Sequence, residues 1–441
     1  MSKTGGNMAI SRRNFIKTGP AATAATMTML SPKARAQSYP SANQFPGRIV
    51  EVIDSDMNPG NVNTASSENT VLDAQVQDMF DEGIKRLTGK NSVQQAMETL
   101  FPQKNKVVAL KVNTISGRIV TRKEVVKAVI TRLISEGITT GDNIKIYDSR
   151  NNWAGMSNSY FGTSNVTIDN INGQFNQHSS DPIKNEHNQN IGYADPLFEA
   201  DYLINIPVMK SHTNSGIGAI TLAFKNHWGT VRPDCGNADK LIAVNGSPPI
   251  RDKTRLVVMS ALHATYNGGP TSTSSAYTLK TIFLGTDPVT NDFVGRMRIN
   301  EKRDEMGMSP KNTSSNAIPE RGETAGLGIA SSNGLITMDM ASLTVSRSNG
   351  IHINTSQYLR IISGPKASAV KISLAGKQWQ PEKVTARVYD LSGQLVYTQP
   401  GISGKTFVWH KQNQKGRTSA QGRYLAHFTQ DKAAFWVSFA I

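Results

Sequence analysis

Apolar positions recur along this chain with two periods. "RIVEVID" (Arg48–Asp54) is an apolar run of strand length, and "TVLDAQVQDMFDEGIKRLTG" after it sets Val71, Val76, Phe80, Ile84 and Leu87 near one helical face. "SVQQAMETLF" predicts a second, shorter helix. "KVVALKVN" (Lys106–Asn113) reads as a strand. In "TRKEVVKAVITRLISEG" (Thr121–Gly137), Thr121 and Glu124 form a capping-box pattern and Gly137 suits the C′ position. Val125, Val126, Val129, Ile130, Leu133 and Ile134 make its buried face, and "NIKIYDS" (Asn143–Ser149) supplies the next strand. Strand, helix and strand in this order form a βαβ unit, which implies a parallel sheet.

Residues 151–192 break the pattern with an Asn-rich stretch that holds one strand-like run, "NVTIDNI", and reads as a surface insertion. The α/β alternation then resumes. "DYLINIPVM" is a strand, "IGAITLAFKNHW" a helix, "TRLVVMSAL" and "KTIFLG" are strands, and "PVTNDFVGRMRINEKRDEMG" is a helix. Residues 308–350 are rich in Ser, Asn and Gly and read as a peripheral region that leads into a linker. From about Ser356 the period changes to 2. Seven short runs ("YLRIIS", "AVKISLA", "VTARVYD", "QLVYTQ", "TFVWHK", "RYLAHFT", "AFWVSFAI") alternate with turn signals, which predicts a small β-sandwich. Trp409, Gly416, Gly422 and Tyr424 in "FVWHKQNQKGRTSAQGRYLAHF" resemble the FlgD-type immunoglobulin-like domain. That resemblance implies a non-catalytic module for positioning, attachment or sorting. The expected fold class is therefore α/β, a mostly parallel sheet with flanking helices, plus a C-terminal all-β immunoglobulin-like sandwich.

The N-terminus follows neither period. "SRRNFIK" precedes the weakly apolar "TGPAATAATMTMLS" and then "ARAQ", a basic region, an apolar region and an A-x-A site with cleavage expected after Ala36. Arg12 and Arg13, with Phe15 and Lys17, resemble the twin-arginine export signal. The expected organisation is a signal peptide at 1–36, an α/β domain at 37–330, a linker at 331–355 and the sandwich at 356–441. The export machinery is then a partner, and the protein is expected in the periplasm or outside the cell.

Composition narrows the function classes. The chain carries +15, and residues 1–36 hold six of its Lys and Arg and no acid, so the remainder carries +9. A basic protein of this kind suits anionic ligands or a cell-envelope component. Nucleic acid is not expected, because the basic residues are scattered rather than gathered in a stripe. No run approaches ~18 uninterrupted apolar residues, so no transmembrane helix is expected. Cys235 is the only cysteine, which rules out an intrachain disulfide and a Cys-ligated iron–sulfur cluster; it sits in a turn-like "RPDCGNAD". His178, His187 and His263 have no metal-ligand spacing, and the sequence names neither a metal nor a cofactor.

Polar residues collect where predicted strands end and helices begin. Lys111 and Asn113 close "VALKVN", Asp148 closes "IKIYD", and Lys210 and His212 follow "LINIPVM". Gly216 and Gly218 open the stretch with Lys225 and Asn226, and Asp287 follows "TIFLG" with Asp292 one turn on. Ligands of parallel α/β sheets bind outside the carboxyl ends of the strands. Lys111 in a buried strand needs a partner or a pocket. Asp287 precedes Pro288 and doubles as an N-cap, whereas His227 beside Trp228 reads as a packed histidine.

"VALKVN", "IKIYDS", "ADYLINIPVMKSHTNSGIGAITLAFKNHWG", "NGGP" and "FLGTDPVTND" in this order resemble the domain-of-unknown-function family 362 over roughly residues 48–330. Its members read K-P-N, N-x-P-K-x-K-T-H, L-K-N and G-T-D-P-V. The resemblance brings no settled activity. Carried over by position, it picks out Lys111, Asn113, Lys210, His212, Lys225, Asn226 and Asp287. Val112 stands where a proline is usual, Ser260 where an aspartate is common, and the cysteine clusters of some relatives are absent. The expected function is an exported protein whose α/β domain binds a small anionic ligand. His212 and Asp287 are its catalytic candidates for acid–base or metal-assisted chemistry; Lys111, Asn113, Lys210, Lys225 and Asn226 bind the ligand. The alternative is a non-catalytic cell-envelope protein assembled through its sandwich.

Overall fold

Residues Val108–Lys111 and Tyr202–Asn205 are buried at every position, so they belong in the middle of a sheet covered on both faces. The structure is a computed structural model. It describes residues 42–54, 56–60, 70–115, 119–163, 165–171, 175–176, 192–213, 220–231, 238–311, 317–330, 336–342, 359–361, 369–374, 380–390, 394–404, 406–420, 423–430 and 433–440. The expected signal segment lies outside these residues, and residues 42–441 form one compact unit.

The chain runs β1 (Arg48–Ile53), α1 (Thr70–Thr88), α2 (Val93–Leu100), β2 (Val108–Lys111), α3 (Lys123–Ser135), β3 (Ile144–Asp148), α4 (Asn158–Phe161) and β4 (Thr167–Asn170). It continues with β5 (Phe175–Asn176), β6 (Tyr193–Ala194), α5 (Asp195–Glu199), β7 (Tyr202–Asn205), β8 (Lys210–Ser211), β9 (Ile220–Thr221) and α6 (Ala223–Asn226). Then follow α7 (Ala238–Gly246), α8 (Pro248–Arg251), β10 (Thr254–Thr265), β11 (Ala276–Gly285), α9 (Pro288–Glu305), α10 (Ile318–Thr324) and β12 (Thr337–Ser342).

Eight of these strands form one sheet in the order β12-β1-β11-β10-β7-β2-β3-β4. Its neighbours are parallel except β11, which runs antiparallel to both β1 and β10. Helices cover both faces. Val108 and Leu110 join the core made with α1, α2 and α3, and Ala109 joins the opposite core with α7 and α9. Each fully buried aliphatic side chain here contributes about 1.5–3 kcal/mol relative to exposure. Alternation along β2 sends Lys111 to the Ala109 face, where it meets α6.

Five expectations are corrected. The capping box of α3 does not form: Arg122 is the N-cap residue, with no side-chain cap bond. Thr121 instead accepts the Asn113 N–H at 2.8 Å and donates to the Ile206 carbonyl at 2.7 Å, tying two strand ends together. Glu124 pairs with Arg122 at 3.0 Å. Gly137 does close the helix, at φ +63° with its N–H on the Ile134 carbonyl, but Ile134 stays exposed. The helix expected over "IGAITLAFKNHW" shrinks to one turn, α6, followed by a 3-10 turn at His227–Thr230. Asp292 captures the N–H groups of Ala223 and Phe224, which starts the helix late, and Ile220–Thr221 pair with Lys210–Ser211 instead. Residues 337–342, expected in a linker, form the edge strand β12 beside β1.

The fifth correction concerns Asp287. The last residue of β11, Gly285, is level in the register with Asn205 and Lys111 but lies three strands across from β2, and because β11 is antiparallel the chain after it runs away from the carboxyl ends of β2, β3 and β7. The Asp287 carboxylate is buried there. It accepts N–H groups from Thr290 at 3.0 Å, Gly47 at 2.9 Å and Ile329 at 2.8 Å. Burial raises its pKa against these bonds. Asp287 is a structural cap that joins three segments, and it is separated from the other candidates.

Beyond the sheet lie β13 (Leu359–Ile361), β14 (Val370–Leu374), β15 (Thr385–Asp390), β16 (Leu395–Pro400), β17 (Thr406–Trp409), β18 (Arg423–Gln430) and β19 (Ala433–Ala440), so all seven alternating runs are strands. They make two antiparallel sheets, β13-β14-β17 and β16-β15-β18-β19. Both sheets share a core in which the Trp409 and Tyr424 rings lie 5.0 Å apart. Gly416 has the positive φ its turn requires, and Gly422 lies outside the described residues.

Removing the Asp287 carboxylate strands three backbone N–H groups, so Asp287→Ala is expected to lose about 2–4 kcal/mol of unfolding free energy. Urea titration checks this.

Candidate functional site

β2, β3 and β7 end side by side. Register pairs Lys111 with Tyr147, next to the last residue of β3, on one side and Asn205 on the other, so the ends of three strands share one edge. Lys111 is buried, and its ammonium donates to Asp148 Oδ1 at 2.8 Å, the Val112 carbonyl at 2.6 Å and Asn226 Oδ1 at 3.4 Å. Burial lowers the Lys111 pKa despite the neighbouring carboxylate. Asp148 is fully used. Its Oδ2 accepts the Thr114 N–H at 2.6 Å and the Thr114 hydroxyl at 2.8 Å, and its Oδ1 also accepts the Ser149 N–H at 2.8 Å. Gly229 packs directly on this pair: a Cβ there would lie 2.5 Å from Asp148 Oδ1 and 3.0 Å from Lys111 Nζ. Only glycine permits that approach.

Asparagines carry the network across the strand ends. Asn226 donates to Asn205 Oδ1 at 2.7 Å and to the Lys111 carbonyl at 3.2 Å, and accepts from Asn113 at 3.2 Å. Asn113 Oδ1 in turn accepts from Lys210 Nζ at 2.7 Å, and Lys210 also donates to the Ile119 carbonyl at 2.9 Å. Lys210 is fully buried. Burial pushes its pKa down to about 7; the charge of Lys111 adds to this, and Asp148 opposes it.

His212 stands at the half-buried mouth of the same corner. Burial holds its pKa down at about 4, reinforced by the charges of Lys225, Lys311 and Lys210, so it is neutral at physiological pH. Lys311 donates to the His212 carbonyl at 3.1 Å, and Lys225 lies 5.0 Å above the Trp228 ring. The "NGGP" stretch straps this segment down. Ser211 donates its hydroxyl to the Gly268 carbonyl at 2.7 Å, and a Cβ on Gly269, at φ +148°, would fall 2.3 Å from the Ser211 carbonyl oxygen.

The structure thus gathers Lys111, Asn113, Lys210, His212, Lys225 and Asn226 and leaves Asp287 apart. Asp292 positions α6 through its bonds to Ala223 and Phe224, with its pKa pushed up to about 8 by burial. His227 is packed as expected, 3.4 Å from the Thr230 hydroxyl and neutral, its pKa lowered to about 3 by burial. His263 bonds to Thr278 at 3.2 Å. Gly216, Gly218, Cys235, His178 and His187 lie outside the described residues. Sequence reasoning missed Asn205, Thr114, Gly229 and Lys311. A buried asparagine ending "YLIN" was a readable signal; Lys311 had none. Among the described residues, no three His, Cys, Asp or Glu side chains stand close enough to hold a metal ion, and no helix is long and apolar enough to cross a membrane.

No curated protein matches the sequence. Among solved structures, the chain is similar to PorZ, an essential bacterial surface component of the type-IX secretion system of Porphyromonas gingivalis. That match has 18% identity over 19% of this chain and 11% of that chain, with a TM-score of 0.16. It is also similar to dimeric latent PorU from Porphyromonas gingivalis, at 13% identity over 23% of this chain and 10% of that chain, with a TM-score of 0.17. The chain spans about a tenth of either protein. Residues 108–296, which carry the whole strand-end network from Lys111 to Asn226, match the family described as domain of unknown function (DUF362), and the resemblance read from the motifs is supported over that span.

Proposed function

We propose that the corner formed by β2, β7, β8 and α6 binds a small anionic ligand, a carboxylate or a phosphate. One observation carries this reading. Lys210, Lys225 and Lys311 all act on His212, while Asp148, the carboxylate of the cluster, is spent on Lys111 and on two backbone N–H groups. Three lysines acting on one histidine, beside a carboxylate already engaged by Lys111, make a positive field that suits an anion. The buried indole N–H of Trp228, beneath Lys225, has no hydrogen-bond partner among the described residues and offers a further donor. In this reading Lys225 and Lys311 hold the charge, and His212, neutral at physiological pH, takes or relays a proton.

The protein around this corner is read as exported. The twin-arginine pattern of Arg12 and Arg13 supports passage to the periplasm or beyond, and the two C-terminal sheets are read as a FlgD-like attachment module. A second reading has its own observation. Lys111, Asp148 and Asn226 satisfy one another internally, and Tyr389 packs into the core beside α9. A cell-envelope scaffold held together through its C-terminal sheets accounts for both.

Titration calorimetry with oxalate and inorganic phosphate separates the two. Binding is expected that weakens ~10-fold or more in Lys225→Ala and falls with salt, while Asp287→Ala leaves it unchanged under folded conditions. No binding of either anion favours the scaffold.

Lys210 also gives the fold a pH signature. Its folded pKa of about 7 lies below the unfolded value near 10.5, so the unfolded chain binds more protons between these limits. Stability contributed through this group therefore rises as pH increases from about 7 to about 10 and is lowest below about 7. Lys210→Met is expected to flatten that rise, measured as thermal midpoint against pH.

A further inference from the structure

Two lysines are buried at this corner and one carboxylate serves them. Asp148 belongs to Lys111, and Lys210 is left with two neutral acceptors, the Asn113 amide oxygen at 2.7 Å and the Ile119 carbonyl at 2.9 Å. A buried ammonium without a counter-charge is strongly disfavoured. A neutral amine fits instead: its two N–H bonds satisfy the two acceptors, and its lone pair remains for chemistry. Proximity to the Lys111 cation, itself fixed by Asp148, works in the same direction. Desolvation beside a second cation is the setting that turns a lysine into a nucleophile.

Resting on the anion-binding reading above, we propose that Lys210 is a catalytic nucleophile that forms an imine, and that the substrate is a small carboxylate or phosphate carrying an aldehyde or ketone. Lys225 and Lys311 hold the anionic end. The Lys210 lone pair forms a bond to the carbonyl carbon, and the C=O π electrons move to oxygen. The amine's two protons pass to that oxygen, with His212 as relay, and the oxygen leaves as water when the C–N double bond forms. No oxidant or reductant is consumed. One proton taken from solvent makes the iminium, which draws electrons from the adjacent carbon and eases loss of a proton or of carbon dioxide there.

The test uses the full chain with pyruvate and, separately, glyoxylate, each with sodium borohydride, followed by intact mass and peptide mapping. One reduced adduct per chain is expected on Lys210. Its yield should rise through about pH 7, where Lys210 becomes neutral, and an excess of oxalate should suppress it. Lys210→Arg should give none; if that variant fails to fold, the map of the unsubstituted chain still locates the adduct. Oxalate calorimetry on the same sample tests the underlying site separately. Oxalate binding with no adduct, or with the adduct on another lysine, overturns the imine and leaves the anion site standing. Absence of both overturns the two together.

Discussion

The Lys111–Asp148 pair is the constraint on which the rest of the corner depends. Burying two charges costs several kcal/mol per ion, which only good geometry and further hydrogen bonds offset. Here the register of β2 against β3 puts the two side chains 2.8 Å apart. Val112, Thr114, Ser149 and Asn226 take up the remaining donors and acceptors. Gly229 then packs its backbone directly against the pair. Loss of Asp148 would leave the buried ammonium without its counter-charge, and a side chain at Gly229 would clash with both partners.

Charge is graded outward from that pair. Inside, Lys111 has its carboxylate. One step out, Lys210 has only neutral oxygens and sits at the edge of ionisation. At the mouth, Lys225 and Lys311 stand in a more solvated setting, and burial, reinforced by their charges, holds the His212 pKa down. The asparagine chain Asn113–Asn226–Asn205 links these zones without adding charge. A polar network of this kind is stable only when each member is satisfied, so the positions of β2, β7 and α6 are coupled through it. Asp292 fixes α6 from the other side.

Helices and strands with strong periodicity were legible because burial of one face dictates their spacing. β2, α3 and β3 appear where the pattern puts them, and so do all seven C-terminal runs. Local chemistry was less legible wherever a distant group competed for it. Thr121 and Glu124 carry a capping pattern, yet Ile206 and Arg122 offered better partners. The run after Ile217 has helical composition, yet Asp292 and the ribbon to Lys210 claimed its backbone. Residues 337–342 look like linker in composition and become an edge strand because β1 presented an open edge.

The sequence by itself located the polar residues that gather at this corner: Lys111, Asn113, Lys210, His212, Lys225 and Asn226 were all readable, because polar side chains that interrupt or close apolar runs stand out from the pattern. Only the tertiary structure decided which of them meet. Strand direction is set by crossover and packing, not by composition, and the reversal of β11 turned the chain after Gly285 away from the ends of β2 and β7, where Asp287 is taken up by the N–H groups of Gly47, Thr290 and Ile329. The same register that excluded Asp287 placed two lysines against one carboxylate. The lowered pKa of both follows from that arrangement, since the pKa of a buried amine depends on what lies within a few ångströms in space and not on its neighbours in the chain.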